Sequence, residues 1–227
     1  MRRPTTDQLI AQLGENSFFA GVDDDVLRQL AASAVWRTYA SGEIVLLEGE
    51  ATAGFYYLHS GWLKVVAMSP SGREQILSFL ESGDTFYEAG AFSKRPNMAT
   101  AVALEEAGVW LIEREVVLRL VRERPLLAEL LLERMANRLM YLVSLVSDLS
   151  LRPVTGRLAR LLLDSADADG ILHRPRWYTQ AELASRLGTV PDVVQRALRE
   201  LDREGVIAVQ RRKIVILDRD TLAEWAE

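Results

Sequence analysis

The sequence predicts an α+β chain with three parts: an N-terminal β-roll, a long dimerisation helix and a C-terminal winged helix-turn-helix. Short apolar runs separated by Gly-containing turns fill residues 36–113, a pattern typical of a sandwich or roll. A heptad seam follows, and the chain ends with two helical patterns around a glycine and then a basic hairpin. We place the three parts at residues 1–124, 125–152 and 153–227.

Composition narrows the class of protein. The chain has 227 residues, 49% of them hydrophobic and 26% charged, which is typical of a soluble globular protein. It has no cysteine, which excludes disulfides, thiolate chemistry and cysteine-ligated iron–sulfur clusters. Residues 1–6 carry two arginines without an apolar run behind them, so we expect no secretory signal and a cytoplasmic location. No stretch is apolar enough to predict a membrane span.

The charge is unevenly distributed along the chain. Net charge is −5, yet residues 174–213 hold nine basic and five acidic residues, a local charge of +4 that leaves −9 for the rest. This asymmetry predicts a basic, DNA-facing module on an acidic body.

The N-terminal part combines short helices with short strands. Helices are predicted at 7–14 and 23–35, the second because Asp23, Asp24 and Asp25 suit the positive end of a helix dipole. The predicted strands are 44–47, 55–58, 63–68, 75–80 and 109–112.

A sustained heptad seam begins after Pro125, which suits the first turn of a helix. It consists of Ala128, Leu132, Met135, Leu139, Leu142, Val146 and Leu149. All but Ala128 are our candidate dimer interface, because a narrow apolar seam over three heptads is typical of paired helices. The alternative is a single helix buried within one subunit. A second stripe would rest on the roll or on the C-terminal part; its members are Leu127, Leu131 and Leu145.

The segment after Arg152-Pro153, which ends the long helix, contains a helix-turn-helix pattern. A helix is predicted at 154–166. Thr179 and Glu182 form a capping-box pattern for the next helix, and Gly188 suits a tight turn. Pro191 then suits the start of another helix, whose buried stripe is Val194, Ala197, Leu198 and Leu201.

The side chains left facing outward predict how DNA would be read. Asp192 would accept from cytosine N4, Gln195 would read adenine, and Arg196 would bond guanine O6 and N7. Strands at 206–210 and 214–217 would form a wing with three cations at its tip. The predicted phosphate contacts are Thr179, Arg199, Arg211, Arg212 and Lys213. The alternative is a structural helical hairpin with a solvated charged turn.

The order of these parts resembles the Crp/Fnr family over nearly the whole chain. The segments that carry the resemblance are 55–61, 69–74, 83–84, 154–157, 183–188 and 194–201. The resemblance implies a bacterial transcription regulator: a cyclic-nucleotide-binding-domain-like jelly roll for an effector, a homodimer, and DNA binding at a pseudo-palindromic site. It also implies RNA polymerase as a partner.

Three departures from the family's cyclic-AMP binders lead us to expect a different effector. The family's Gly-Glu-Leu/Ala segment, which cradles ribose and phosphate, is Tyr87-Glu88-Ala89 here. Its phosphate-pairing Arg-Ser/Thr falls on Met98-Ala99, and a buried phosphate without a partner is very costly. The adenine-contacting Thr-Ser falls on Leu142-Val143. The candidate effector-pocket residues are Tyr87, Glu88, Met98, Ala99, Leu142 and Val143.

Haem stays open as an alternative cofactor, because residues 86–101 look similar to the branch that contains nitric-oxide-responsive haem regulators. An axial ligand would come from a histidine, Met or Tyr. The two histidines are His59, at a predicted strand end, and His173, in a predicted loop. We interpret both as non-ligands, and Met98 as a core residue.

A further departure from the family lies at the start of the second helix of the helix-turn-helix pattern. Family members that read a TGTGA-like half-site have Ser/Thr-Arg-Glu where this chain has Val190-Pro191-Asp192, so we expect a different half-site, with Thr189 helping to cap the helix. A regulator without an effector, and a ligand-binding module acting through protein contacts, remain alternatives. Carboxylates such as Glu81 lack a nucleophile–base or metal pattern, so we expect no enzyme and no metal site.

Overall fold

A computed structural model describes residues 1–51, 53–93 and 95–226. Its helices are α1 Thr6–Glu15, α2 Asp24–Ala32, α3 Glu88–Phe92, α4 Arg114–Glu123, α5 Pro125–Leu151, α6 Val154–Ser165, α7 Gln180–Arg186, α8 Pro191–Arg203 and α9 Arg219–Trp225. Within these described residues, no helix is long and apolar enough to cross a membrane.

The strands form two four-stranded sheets and one three-stranded sheet. They are β1 Ala34–Tyr39, β2 Ile44–Leu46, β3 Gly54–Ser60, β4 Leu63–Met68, β5 Glu74–Leu80, β6 Thr85–Phe86, β7 Thr100–Ala103, β8 Ala107–Glu113, β9 Ile171–His173, β10 Ile207–Gln210 and β11 Lys213–Ile216. The sheet orders are β1-β8-β3-β6, β2-β7-β4-β5 and β10-β11-β9. The first two sheets make the jelly roll, so the predicted fold class is confirmed.

Two compact units divide the chain. The N-terminal unit comprises residues 1–71 and 78–141, and the C-terminal unit comprises 72–77 and 142–227.

The second predicted helix was too long. It ends at Ala32, and β1 begins two residues later. Trp36 pairs with Trp110 in the β1–β8 ladder, and their rings lie 5.0 Å apart. This long-range pairing overrides the local helical periodicity that we extended to residue 35. The sequence patterns also missed α3, α9, β6, β7 and β9, and most of β1.

The core of the N-terminal unit lies where α1, α2 and α4 cover the β1-β8-β3-β6 sheet. Trp110, Phe55 and Leu30 are almost fully buried there. Leu127 and Leu131 belong to the same cluster, so these two residues of the second stripe pack on the roll at the start of α5; Leu145 is not part of that cluster. Burying each such side chain contributes roughly 1.5–3 kcal/mol.

The core of the C-terminal unit is formed by α6, α8 and α9 beside the three-stranded sheet. Leu158, Leu162 and Leu201 are fully buried. They lie on helical faces whose opposite sides carry charge, as the periodicity predicts.

Gly61 is a turn position at which a side chain should destabilise the roll. Its φ is +92°, and an added Cβ would lie 2.7 Å from the Glu106 carbonyl oxygen. We expect Gly61→Ala to lower the free energy of unfolding by about 2–5 kcal/mol, through backbone strain plus overpacking. The matched control is Gly42→Ala, where φ is +87° and an added Cβ would meet nothing within 4 Å. Strain alone should cost that variant about 1–2 kcal/mol. Equal losses in denaturant titrations of the two variants would rule out the clash at Gly61.

Candidate nucleic-acid interface and roll site

The turn between α7 and α8 has the geometry that its residues predict. The Thr179 hydroxyl accepts a hydrogen bond from the Glu182 backbone N–H at 3.2 Å, which caps α7. Gly188 has a φ of +65°, and an added Cβ would lie 2.6 Å from a Leu149 methyl carbon. The positive φ favours glycine there, and a larger residue would also require the Leu149 side chain to shift.

Helix α8 presents a polar face opposite a buried one. Its predicted buried stripe is found as expected, from Val194 to Leu201. Asp192, Arg196 and Arg199 are exposed, whereas Gln195 is half-buried. The four outward side chains therefore differ in their solvent exposure.

Helix α8 begins where Pro191 predicts. Val190 is the N-cap and makes no side-chain cap bond, and Pro191 opens the helix. Thr189 instead donates its backbone N–H to the Ala184 carbonyl oxygen at 2.9 Å. Capping help from the Thr189 side chain stays a prediction.

The wing is a hairpin with a two-residue tip rather than a three-residue one. Arg211 and Arg212 form the turn and are exposed. Lys213 is the first residue of β11, pairs with Gln210 and is half-buried. The strand register therefore holds Lys213 beside the tip, not on it.

A third strand supports the wing from the other side. β9 pairs with β11, with His173 opposite Lys213, so His173 lies at a strand end and not in a loop as predicted. Its Nε2 lies 3.3 Å from an Asp167 carboxylate oxygen. The next residue, Arg174, donates its backbone N–H to the Arg212 carbonyl oxygen at 2.7 Å.

This pairing brings the β9–α7 loop against the wing tip. Between them lies a concavity of about 360 Å³. It is lined by Arg174, Pro175, Arg176, Tyr178, Thr179, Arg211 and Arg212. Sequence reasoning missed Arg174 and Arg176. The only sequence signal for them is that both lie in the basic segment 174–213.

The heptad seam on α5 is largely exposed in the single chain. Leu132, Leu139 and Val146 are 65%, 60% and 64% exposed. They repeat every seven residues, while Met135, Leu142 and Leu149 are half-buried on the same seam. Apolar side chains so exposed at heptad spacing favour a partner helix.

Tyr87 lies where the family's binders have a glycine, and it keeps the glycine-like backbone. Its φ is +64°, which makes it the only non-glycine residue with positive φ in the described chain. Its hydroxyl donates to the Ala99 carbonyl oxygen. Burial raises the pKa of the Tyr87 phenol to about 12. A tyrosine side chain therefore ties together the two segments that hold phosphate in those binders.

Two arginines of α5 contact side chains of the roll near the candidate effector residues Tyr87 and Glu88. Sequence reasoning missed both arginines. Arg134 lies 3.5 Å from a Glu88 carboxylate oxygen, and that carboxylate also accepts from the Thr85 hydroxyl at 2.6 Å. Arg138 donates to the Ser78 hydroxyl at 2.8 Å, and burial lowers its pKa. Helical spacing places both arginines on one face, but only the roll shows what that face contacts.

Met98 was wrongly interpreted as a core residue. Its side chain is 75% exposed, because it lies in the segment just before β7. Neighbouring Ala99 is buried. An exposed thioether at the family's phosphate-pairing position offers no charge to an anion.

His59 is engaged within the roll. Its Nδ1 lies 2.6 Å from the Gln12 side-chain oxygen, and its ring is 5.4 Å from that of Trp36 in an edge-on arrangement. Burial lowers its pKa. These contacts favour a structural role for this histidine.

Comparisons with known proteins match both halves of the chain. A model of the cyclic nucleotide-binding domain matches residues 36–124, and a model of the Crp-like helix-turn-helix domain matches residues 156–225. The fold and the two matches define a DNA-binding regulator with a cyclic-nucleotide-binding-type roll.

Curated relatives extend over almost the full length. A CRP-like cAMP-activated global transcriptional regulator of Mycobacterium tuberculosis is 28% identical over 97% of this chain and 99% of its own. The cAMP-activated global transcriptional regulator Vfr of Pseudomonas aeruginosa is 27% identical over 84% and 92%. The chain therefore belongs to the Crp/Fnr family of transcription regulators.

Solved structures share the fold. FixK2 from Bradyrhizobium japonicum matches with a TM-score of 0.76 and 23% identity, over 86% of this chain and 98% of its own. The catabolite activator protein of Thermus thermophilus matches with a TM-score of 0.53 and 25% identity, over 92% and 97%.

Proposed function

We propose that this regulator acts as a homodimer that reads a pseudo-palindromic DNA site through the outward face of α8. The observation that carries the proposal is the pairing of that face with the wing: Asp192, Arg196 and Arg199 are exposed opposite a buried stripe, beside the cations of the tip. A dimer of such modules reads half-sites about one helical turn apart. In this proposal RNA polymerase is the protein partner and the chain works in the cytoplasm without catalysis.

Selection of random DNA duplexes by the purified protein tests the proposal. At about 0.15 M salt, close to physiological ionic strength, and without added effector, a two-fold symmetric site is expected. Selection of an asymmetric site would contradict the dimer. No enrichment from a folded dimer would favour a regulator that needs an effector, or a module that acts through protein contacts.

We also propose that cyclic AMP is not the effector. A cyclic phosphate needs a cationic partner in a buried site, and this chain has the exposed Met98 and the buried Ala99 at that position. Tyr87 adds a side chain to the segment that holds ribose and phosphate in the family's cyclic-AMP binders, and its hydroxyl donates to the Ala99 carbonyl oxygen. Haem ligation by His59 has no support from its contacts with Gln12 and Trp36.

Titration with cyclic AMP should therefore leave both melting temperature and DNA affinity unchanged. A ligand present at 100 times its Kd stabilises its protein by about 2.7 kcal/mol, so a bound nucleotide would be visible in the melting curve. The Mycobacterium tuberculosis relative, described as cAMP-activated, is the positive control. Saturable stabilisation of this protein would overturn the proposal.

A further inference from the structure

Tyr87 is held in a backbone conformation that a tyrosine disfavours. Its φ of +64° lies in the left-handed region, where the Cβ crowds the following carbonyl oxygen. Such a conformation persists only where the surrounding structure holds the residue in place. Two contacts do so here: the Tyr87 hydroxyl donates to the Ala99 carbonyl oxygen, and the ring lies 6.4 Å from that of Phe86 in an edge-on arrangement. The Tyr87 side chain therefore links the start of α3 to the segment just before β7.

The carboxylate of Glu88, the next residue, is already engaged within the roll. It accepts from the Thr85 hydroxyl at 2.6 Å and lies 3.5 Å from Nε of Arg134. Arg134 also donates to the Thr85 carbonyl oxygen at 3.2 Å. The Glu88 side chain is 13% exposed, so salt screens this pair less than a pair on the open surface. A ligand that needed Glu88 would have to displace these partners.

Arg138 fixes the next turn of α5 on the roll. Its guanidinium donates to the Ser78 hydroxyl at 2.8 Å, and Ser78 is buried in β5. The same guanidinium lies over the ring of Tyr141, 5.3 Å from the ring centroid, which is an attractive arrangement for a cation. Arg134 and Arg138 are four residues apart and share one face of the helix. That face of α5 is therefore fixed on the roll at two points.

We propose that these side chains do within one chain what a bound effector would do, and that the protein is competent to bind DNA without a small-molecule effector. We call the contacts of Tyr87, Arg134 and Arg138 with the roll the internal latch. The polar groups of Tyr87 and Glu88, both candidate effector residues, are engaged without a ligand. Because α5 also carries the heptad seam, the latch sets the geometry in which two protomers pair. The inference rests on the proposed homodimer and deepens it, since it assigns the three latch residues as positioning residues.

Tyr87→Phe tests the latch in the full-length protein, because it removes the hydroxyl and keeps the ring. Two duplexes are compared, one with both selected half-sites and one with a single half-site. On the two-half-site duplex, without effector, the variant should bind about tenfold more weakly, because each protomer loses one hydrogen bond that favours the competent dimer. On the single half-site it should bind like wild type, because the DNA-reading module is unchanged. A merely structural role would weaken both equally, through a smaller folded fraction.

Tyr57→Phe is the matched control for this variant. It also removes a tyrosine hydroxyl from the roll, but Tyr57 is buried in the core cluster that includes residues of α1, α2 and α4. This control should bind both duplexes like wild type. Wild-type affinity of Tyr87→Phe for the two-half-site duplex would overturn the proposal, and so would an equal loss in Tyr57→Phe.

Arg134→Gln tests the ionic part of the latch. It removes the charge that faces Glu88, so it should weaken binding of the two-half-site duplex and leave single-half-site binding unchanged. The matched control is Arg119→Gln, because the Arg119 side chain is 46% exposed and pairs with Glu123 within α4 at 3.2 Å. The Arg134 side chain is 40% exposed. Equal effects of the two substitutions would reduce the latch to an effect of net charge and overturn it.

Refolding tests whether a hidden effector holds the site. Wild type is unfolded in guanidinium chloride, freed of small molecules by gel filtration and refolded to a dimer. Its affinity for the two-half-site duplex should equal that of untreated protein. A refolded dimer that has lost this affinity, or that regains it when the small-molecule fraction is added back, would overturn the latch.

The two duplexes also separate a failure of the latch from a failure of the proposed function. Untreated wild type that binds the single half-site but not the pair would keep DNA reading and overturn the latch alone. Untreated wild type that binds neither duplex would contradict the proposed function, and the inference would fail with it.

Discussion

Replacing Leu139 by glutamate is expected to turn the protein into a monomer that binds its two-half-site DNA at least about 100-fold more weakly. Leu139 is 60% exposed in the single chain, in the middle of a seam with Leu132 and Val146. In a two-fold dimer, the two new carboxylates would be buried close together, and an unpaired buried charge is expensive. Losing one of two linked modules removes the avidity of bivalent binding, which is worth roughly 10²–10⁴.

Sedimentation and DNA titration together check this expectation. Ser144→Glu is the matched control, because Ser144 is exposed on the same helix and lies off the seam. That variant should stay dimeric and bind DNA like wild type. A dimeric Leu139→Glu protein with unchanged affinity would show that the seam is not the interface.

Replacing Arg196 by alanine should weaken binding to the selected site by about 1–3 kcal/mol, roughly 5–150-fold, and should relax discrimination at one base pair of each half-site. Arg196 is exposed on α8, and α8 is anchored from beneath by Val194, Ala197 and Leu198. A bidentate bond from a guanidinium to guanine O6 and N7 carries that much specificity.

A comparison of Arg196→Ala with Arg199→Ala distinguishes base reading from a phosphate contact. Arg199→Ala should weaken binding to every duplex about equally, because a phosphate contact carries no sequence information directly. Selection of random duplexes with each variant distinguishes the two roles. If Arg196→Ala shows the same uniform loss, Arg196 is a phosphate contact and base reading lies elsewhere on α8.

Much of the C-terminal unit could be predicted from local pattern. The periodicity of α8 identified its buried stripe, from Val194 to Leu201, and Gly188 identified the turn before it. These features depend on residues near one another in sequence, where spacing alone decides which side chains share a face. The heptad seam was predicted in the same way.

The roll was predictable as a class but not in detail. The apolar runs and glycine turns indicated strands, yet the first two residues of β1, Ala34 and Val35, were assigned to the end of a helix. β7 was missed because its residues Thr100–Ala103 are small and carry little pattern. Whether such segments become strands depends on their partners: β1 pairs with β8, and β7 lies between β2 and β4.

By itself, the sequence determined the order of the three parts, the outward face of α8, the apolar seam of α5 and the absence of the family's phosphate-pairing arginine. Only the tertiary structure decided that Arg134 meets Glu88, that Lys213 lies within a strand, and that Arg174 and Arg176 join the wing arginines. The physical reason is how far apart along the sequence the interacting residues lie. Faces of helices follow from spacing along the chain, whereas charges more than thirty residues apart meet only through strand register, as β9 on β11 brings the loop to the tip.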